Sequence, residues 1–214
     1  KIETVTMEFT NTRIAQITAY LLLTVAVTQA AYTALYIAKI SGPRELLWGL
    51  EGLLFTILAA FAGAAMVQAK HHHLGWSAIA ASAVLNVVQV SVGLTMFGPF
   101  REVAGEVEAL APAAGAVVAL SFMIYYAAKL LLGLAAIVFG MAKMNAGSRA
   151  LGGLTALVGV VAVVANAMLI VFGRDGFLPS SVAGGSGVVA TLLLALCVIC
   201  IVRNAKENTE EAGD

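Results

Sequence analysis

Ala150 to Gly173 reads ALGGLTALVGVVAVVANAMLIVFG, 24 residues between Arg149 and Arg174 with no Asp, Glu, Lys or Arg. A helix rises about 1.5 Å per residue, so about 20 apolar residues cross the roughly 30 Å hydrocarbon layer of a bilayer. This stretch clears that length. A helix buried in a water-soluble domain is usually shorter and has a polar face.

Five further runs of the same kind flank it. Arg13 and Lys39 enclose 25 uncharged residues, and Glu45 and Lys70 enclose 24 interrupted only by Glu51. His73 and Arg101 enclose 27 without charge, Glu108 and Lys143 enclose 34 interrupted only by Lys129, and Asp175 and Arg203 enclose 27 without charge. Of the 24 acidic and basic residues, 22 therefore sit at the edges of apolar runs. Six such runs in succession would leave a soluble protein no water-facing surface. The composition agrees: 61% of residues are hydrophobic, 11% are charged, and mean hydropathy is +0.96, against about 25% charged for a soluble domain.

In lipid every backbone N–H and C=O must be satisfied internally, which leaves helices or a closed barrel. Barrel strands alternate polar and apolar over about 10 residues. These runs do not alternate, and they are rich in Ala and Leu, which favour helix. The expected fold is all-α: a polytopic membrane bundle of about six helices, with spans near 14–38, 46–69, 75–97, 112–142, 151–172 and 182–202. The segment 1–13 and the tail 203–214 are polar, and the tail is expected to fray. The first apolar run has no small-residue cleavage site and is expected to be retained.

The side holding both termini carries Lys1, Arg13, Lys70, Lys143, Arg149, Arg203 and Lys206, whereas the other carries Lys39, Arg44, Arg101 and Arg174 among several acids. The positive-inside rule then places both termini in the cytoplasm of a multi-pass protein of the cell (inner) membrane. Between spans three and four, 98–111 should form a loop whose stretch Arg101–Glu108 makes a short external helix. After span five, GRDGFLPSSVAGGSG (173–187) reads as a mobile glycine-rich loop. An offset of 77 maps Gly63, Gln68, Leu74, Gly75 and Phe100 onto Gly140, Asn145, Leu151, Gly152 and Phe177, the pattern of a parallel repeat. Ala59 with Gly63, and Gly133 with Gly140, have spacings that let helix backbones approach closely.

Two ionisable side chains lie inside apolar runs. A charge near the bilayer centre costs about 2.5–3.5 kcal/mol on insertion scales, so Lys129 and Glu51 should face the bundle interior or water. Side chains lean toward a helix N-terminus, which brings Lys129 toward the depth of Glu51. They read either as a pair lining a path or as a structural ion pair. Span one adds polar residues at every fourth position: Gln16, Tyr20, Thr24, Thr28, Tyr32 and Tyr36. Span three adds Ser82, Asn86 and Gln89, and span four adds Ser121 and Tyr125. The three stripes together make a candidate polar path, or else interhelical hydrogen bonds worth about 0.6 kcal/mol each.

Other chemistry is thin. Cys197 and Cys200 form a C-x-x-C, better read as small buried residues than as a redox pair. His71, His72 and His73 splay apart and lie outside the spans, so they read as an interfacial flank beside Lys70. Gly184-Gly185-Ser186-Gly187 matches the G-x-S-G of rhomboid-type intramembrane serine proteases, but no histidine follows it to activate the serine. There is no H-E-x-x-H, and Asp175 and Asp214 lie outside the spans. With about six spans and two tryptophans, the chain does not resemble the seven-helix retinal proteins. No catalytic residue, cofactor or resident metal is expected, and a zero net charge argues against nucleic acid. The expected function is transport or channel-like movement of a small solute or ion through a polar path lined by spans one, three and four, with lipids around the protein. The alternatives are a non-catalytic subunit packed on membrane protein partners or on copies of itself, and, less well supported, a lipid-modifying enzyme using Tyr125, Tyr126, Lys129 or Glu51.

Overall fold

A computed structural model describes residues 9–40, 42–173 and 178–211, without the side chains of residue 43 and of 205–211. Lys1, Arg174, Asp175, Phe177, Asp214 and the Lys206 side chain, all used in reading the sequence, lie outside the described residues. Within them the chain is helical throughout: α1 (Asn11–Ile37), α2 (Gly42–Gln68), α3 (His73–Glu106), a 3-10 turn (Glu108–Leu110), α4 (Ala111–Asn145), α5 (Arg149–Phe172) and α6 (Ser180–Glu211). All six α-helices are long and apolar enough to cross a membrane.

Local chemistry sets several ends. The Thr10 hydroxyl accepts the Arg13 N–H at 3.3 Å and caps α1. At the end of α4, Gly147 takes a φ of +92°, and its N–H and that of Ser148 bond the carbonyls of Met144 (3.0 Å) and Lys143 (3.2 Å). That pattern is a Schellman motif, which needs the left-handed backbone glycine adopts without strain. Two expected loops are instead helix. α3 runs through Pro99 to Glu106, so Arg101–Glu106 extends a spanning helix rather than forming a separate one. The helix-favouring side chains after the proline outweigh its one lost hydrogen bond. α6 begins at Ser180 and takes in Gly184, Gly185 and Gly187. α6 also continues past 203 to Glu211.

Successive helices run antiparallel. We call the end with the α1–α2, α3–α4 and α5–α6 connections the upper end, and the opposite end the lower. α1 packs on α2, α2 on α3, α3 on α4, α4 on α6 and α6 on α1, closing a five-membered ring, while α5 lies outside it against α4 and α6. Every fully buried member of the main core, including Leu22, Phe55, Leu58, Ile79, Leu132, Phe139 and Leu194, lies in the lower part of the bundle. A smaller cluster of Tyr126, Ala165, Leu169 and Ala183 joins α4, α5 and α6 above it.

The tightest seam is α4 on α5. A Cβ added to Gly140 would sit 2.7 Å from Gly152 O, and one on Gly152 would sit 2.6 Å from Gly140 O. One turn pair higher, a Cβ on Gly133 would lie 2.9 Å from Gly159 O, and one on Gly159 would lie 2.7 Å from Gly133 O. The glycines seven apart on α4 therefore meet glycines seven apart on α5, backbone against backbone. Gly63, by contrast, has nothing within 4 Å of where a Cβ would go, so the Ala59/Gly63 spacing marks no seam within this chain. The offset-77 positions are also unequal: Gly75 meets the Phe139 ring and Gly152 meets the α4 backbone, but Gly63 is open where Gly140 is clasped.

Overpacking a close seam costs about 1–3 kcal/mol. Gly152→Val and Gly159→Val should each lower stability by that much in mixed-micelle unfolding, and Gly63→Val should change it by less than about 0.5 kcal/mol. Equal effects at the three positions would refute the α4–α5 clasp.

Candidate functional site

Lys129 has no solvent-exposed surface. It lies on α4 and points into the five-helix ring, where its Nζ donates to Gln29 Oε1 of α1. The Tyr125 ring, one turn along α4, lies 5.3 Å from the ammonium, within cation–π range. Room for the lysine stem comes from α6: a Cβ on Gly187 would fall 2.7 Å from Lys129 Cδ and 2.9 Å from Cγ. The glycine-rich G-G-S-G is therefore helix that a side chain passes closely. Its Ser186 hydroxyl donates to Ala183 O at 3.0 Å within the same helix.

Glu51 of α2 is 5% exposed. It lies about 13 Å below the start of its helix, and Gln29 lies about 12 Å below the end of α1, so both sit at one depth. Glu51 and Lys129 act on each other electrostatically, but among the described residues no carboxylate lies within 4 Å of the Lys129 ammonium. The carboxyl has Thr28 in hydrogen-bond reach, while its Oε1 has no hydrogen-bond partner among the described residues. The sequence left open whether Glu51 and Lys129 pair. They share a site without closing an ion pair.

Above this pair the lining is aromatic and basic. The Tyr32 ring lies 6.2 Å from Trp48, and Trp48 lies 5.6 Å from Phe97. The Trp48 indole fits over Gly93, where a Cβ would fall 2.7 Å from Cζ3. Higher still, the Arg44 guanidinium lies 5.5 Å from the Tyr36 ring centre. Below the pair lies the main apolar core. Glu51 and Lys129 thus lie between an upper part lined by rings and a guanidinium and a lower part packed mainly with apolar side chains.

The candidate residues divide into three groups. Thr28, Tyr32, Glu51, Tyr125 and Lys129 gather around one point. Ser82, Asn86, Gln89 and Ser121 lie instead in the α3–α4 seam. There Ser82 Oγ donates to Ala128 O (2.8 Å), Asn86 Nδ2 to Ser82 O (2.9 Å) and Gln89 Nε2 to Ser121 Oγ (3.2 Å). The first and third of these bonds join α3 to α4, the first immediately beside Lys129, while the second lies within α3. Tyr20 and Thr24 face outward, Tyr20 being 58% exposed, and Thr24 donates to Tyr20 O at 2.9 Å. A four-residue step drifts about 40°, so the stripe rotates roughly 120° between Tyr20 and Tyr32 and turns inward only in its upper half.

Gln29 was missed because it falls outside that four-residue stripe. It continues the spacing Thr18, Leu22, Val25, which is the buried face of α1, and that spacing was the available signal. Lys143, the other buried lysine, is satisfied: with the Asn204 amide turned to suit both neighbours, its oxygen accepts from Lys143 at 3.3 Å and its nitrogen donates to Cys200 O at 3.0 Å. Cys197 is buried with its thiol 3.4 Å from Thr155 Oγ1, and Cys200 is partly buried. In the α2–α3 link His72 lies against Phe139 at 5.7 Å; burial first, then the neighbouring His71, holds its imidazole below the ordinary value. Among the described residues no three His, Cys, Asp or Glu side chains converge as a metal site would require. The chain matches no protein family, no curated protein and no solved structure.

Gly187 makes room for Lys129, so their substitutions should be coupled. Gly187→Val should cost about 1–3 kcal/mol in the wild-type background and much less in Lys129→Ala, measured by mixed-micelle unfolding. Additive losses would show that the lysine stem does not occupy the space beside Gly187.

Proposed function

We propose that this chain is an integral membrane transport protein that moves a small solute or ion along a polar path between α1, α2 and α4. The supporting observation is the state of its two interior charges. Lys129 is wholly buried on a neutral amide, and Glu51 keeps an oxygen without a donor. A structural ion pair would close the gap between them, because an unpaired buried charge costs far more than a paired one. Charged groups held apart inside a membrane bundle suit a path that another charged or polar species enters.

In this reading the six helices cross the inner membrane with the lower end and both termini cytoplasmic, so the polar half of the path opens outward. The α3 residues Ser82, Asn86 and Gln89 set the position of α4 and do not line the path. A second reading, a non-catalytic subunit of a membrane assembly, draws on the outer face of α2, where the open surface at Gly63 leaves room for a close partner. Purification in mild detergent would then recover a stoichiometric second protein.

Proteoliposomes should be challenged in turn with gradients of protons, alkali cations and small polar solutes. Protein-dependent flux of at least one is expected. Lys129→Met should reduce it at least tenfold while helicity and gel-filtration elution stay unchanged. Undiminished flux in that variant, or no flux with any gradient, would overturn the transport reading.

A further inference from the structure

We infer that Glu51 is a proton-binding site reached from the upper end, and that the proton is the species moved or the one that drives movement. This rests on the transport reading and names the ion. Three features of the site carry it.

The first is the hydroxyl of Thr28. It has a single proton, and two acceptors compete for it: Val25 O, 3.0 Å away, and the Glu51 carboxylate. When the O–H points at Val25 O, Thr28 offers Glu51 only lone pairs. A lone pair facing a carboxylate gains nothing, whereas a protonated carboxyl donates to it. In this arrangement the acid form of Glu51 completes the bond. Loss of the proton would leave Thr28 free to turn its own O–H from Val25 to the carboxylate. The pair thus offers one hydrogen bond in each protonation state.

The second feature is the bare Oε1. A buried ionised oxygen without a donor is costly, and protonation removes the charge without needing extra volume. A metal ion would need several oxygens. The nearby amide oxygen, Gln29 Oε1, is already taken by Lys129. The site therefore selects a proton over an alkali ion.

The third is the asymmetry of the surroundings. The charged and titratable groups acting on Glu51 are Lys129 and Tyr125 from α4 and Tyr32 from α1, and Arg44 on α2 itself acts on Tyr32 above it. At this level α3 presents the uncharged Val90 and Leu94, and α6 presents Gly187. Below, the apolar core is interrupted by Thr18 and Thr191, whose hydroxyls are spent on carbonyls of their own helices, so the polar route to Glu51 runs past Tyr32 and Arg44. Loading forms an O–H bond on the carboxyl with a proton from hydronium at the upper mouth and releases water; unloading is the reverse.

The test uses the purified full-length chain in detergent, where no gradient exists. Trp48 lies one turn from Glu51, and Trp76→Phe leaves it as the only tryptophan. Between pH 4 and 9 its fluorescence should follow a single-proton transition, and in unbuffered solution the wild type should take up about one proton per chain more than Glu51→Gln does, the other carboxyls and the three histidines being common to both. The fluorescence transition should be lost in Glu51→Gln. Should that variant not fold, Glu51→Asp should move the midpoint. A transition that persists in Glu51→Gln, an unmoved midpoint in Glu51→Asp, or equal proton uptake by the wild type and Glu51→Gln would overturn the assignment. A Glu51-dependent titration without flux in liposomes would keep the proton site and discard transport. Flux without the titration would keep transport and discard the site.

Discussion

An ammonium group buried inside a bundle this apolar is the constraint on which the rest of the structure turns. Lys129 cannot reach water, so α1 supplies Gln29 as acceptor and α4 itself supplies the Tyr125 ring. Its four-carbon stem needs a groove, and Gly187 on α6 provides one where any Cβ would collide. Ser82 bonds the carbonyl of Ala128, the residue before it. Three elements besides α4 are therefore shaped around one side chain. Its bond to Gln29 also carries α4 to α1 across the interior of the ring.

Glu51 shows the complementary economy. It sits at the depth where polar lining ends and close-packed hydrocarbon begins, so its surroundings differ above and below. Above it are rings with polar edges and a guanidinium. Below it are Phe55 and Leu58 on its own helix and Leu22 and Val25 on α1, all fully buried. As the proton site inferred above, an interior acid at such a boundary would communicate with one side only. Communication with the other would require the packing of the main core to loosen, and close-packed cores resist continuous deformation.

The helices were legible because their signal is long and redundant: one misplaced charge cannot hide a run of 24 apolar residues. Glu51 and Lys129 were legible for the same reason, as the two exceptions inside those runs. What surrounds them was harder to read. Tyr20 and Thr24 were grouped with Thr28 because a four-residue spacing looks like one face, although it departs from the 3.6-residue turn by a little at each step. Gln29 was invisible to that pattern yet plain on the 18-22-25-29 face. Gly187 was read as loop because glycine signals both flexibility and close contact, and only the neighbour distinguishes them. Arg101–Glu108 reads as a short separate helix because charges close the apolar run at Arg101, whereas α3 continues through Pro99 to Glu106.

The paired glycines of α4 and α5 have a mechanical consequence. Two backbones touching at two levels, seven residues apart on each helix, can neither slide nor roll past one another without collision. α4 and α5 are thereby a single strut, and any displacement of Lys129 drags both helices. The α1–α2 hairpin, which carries Gln29 and Glu51, has no such clasp: the glycines at its seam with α3, Gly49, Gly52 and Gly93, meet side chains and not backbone.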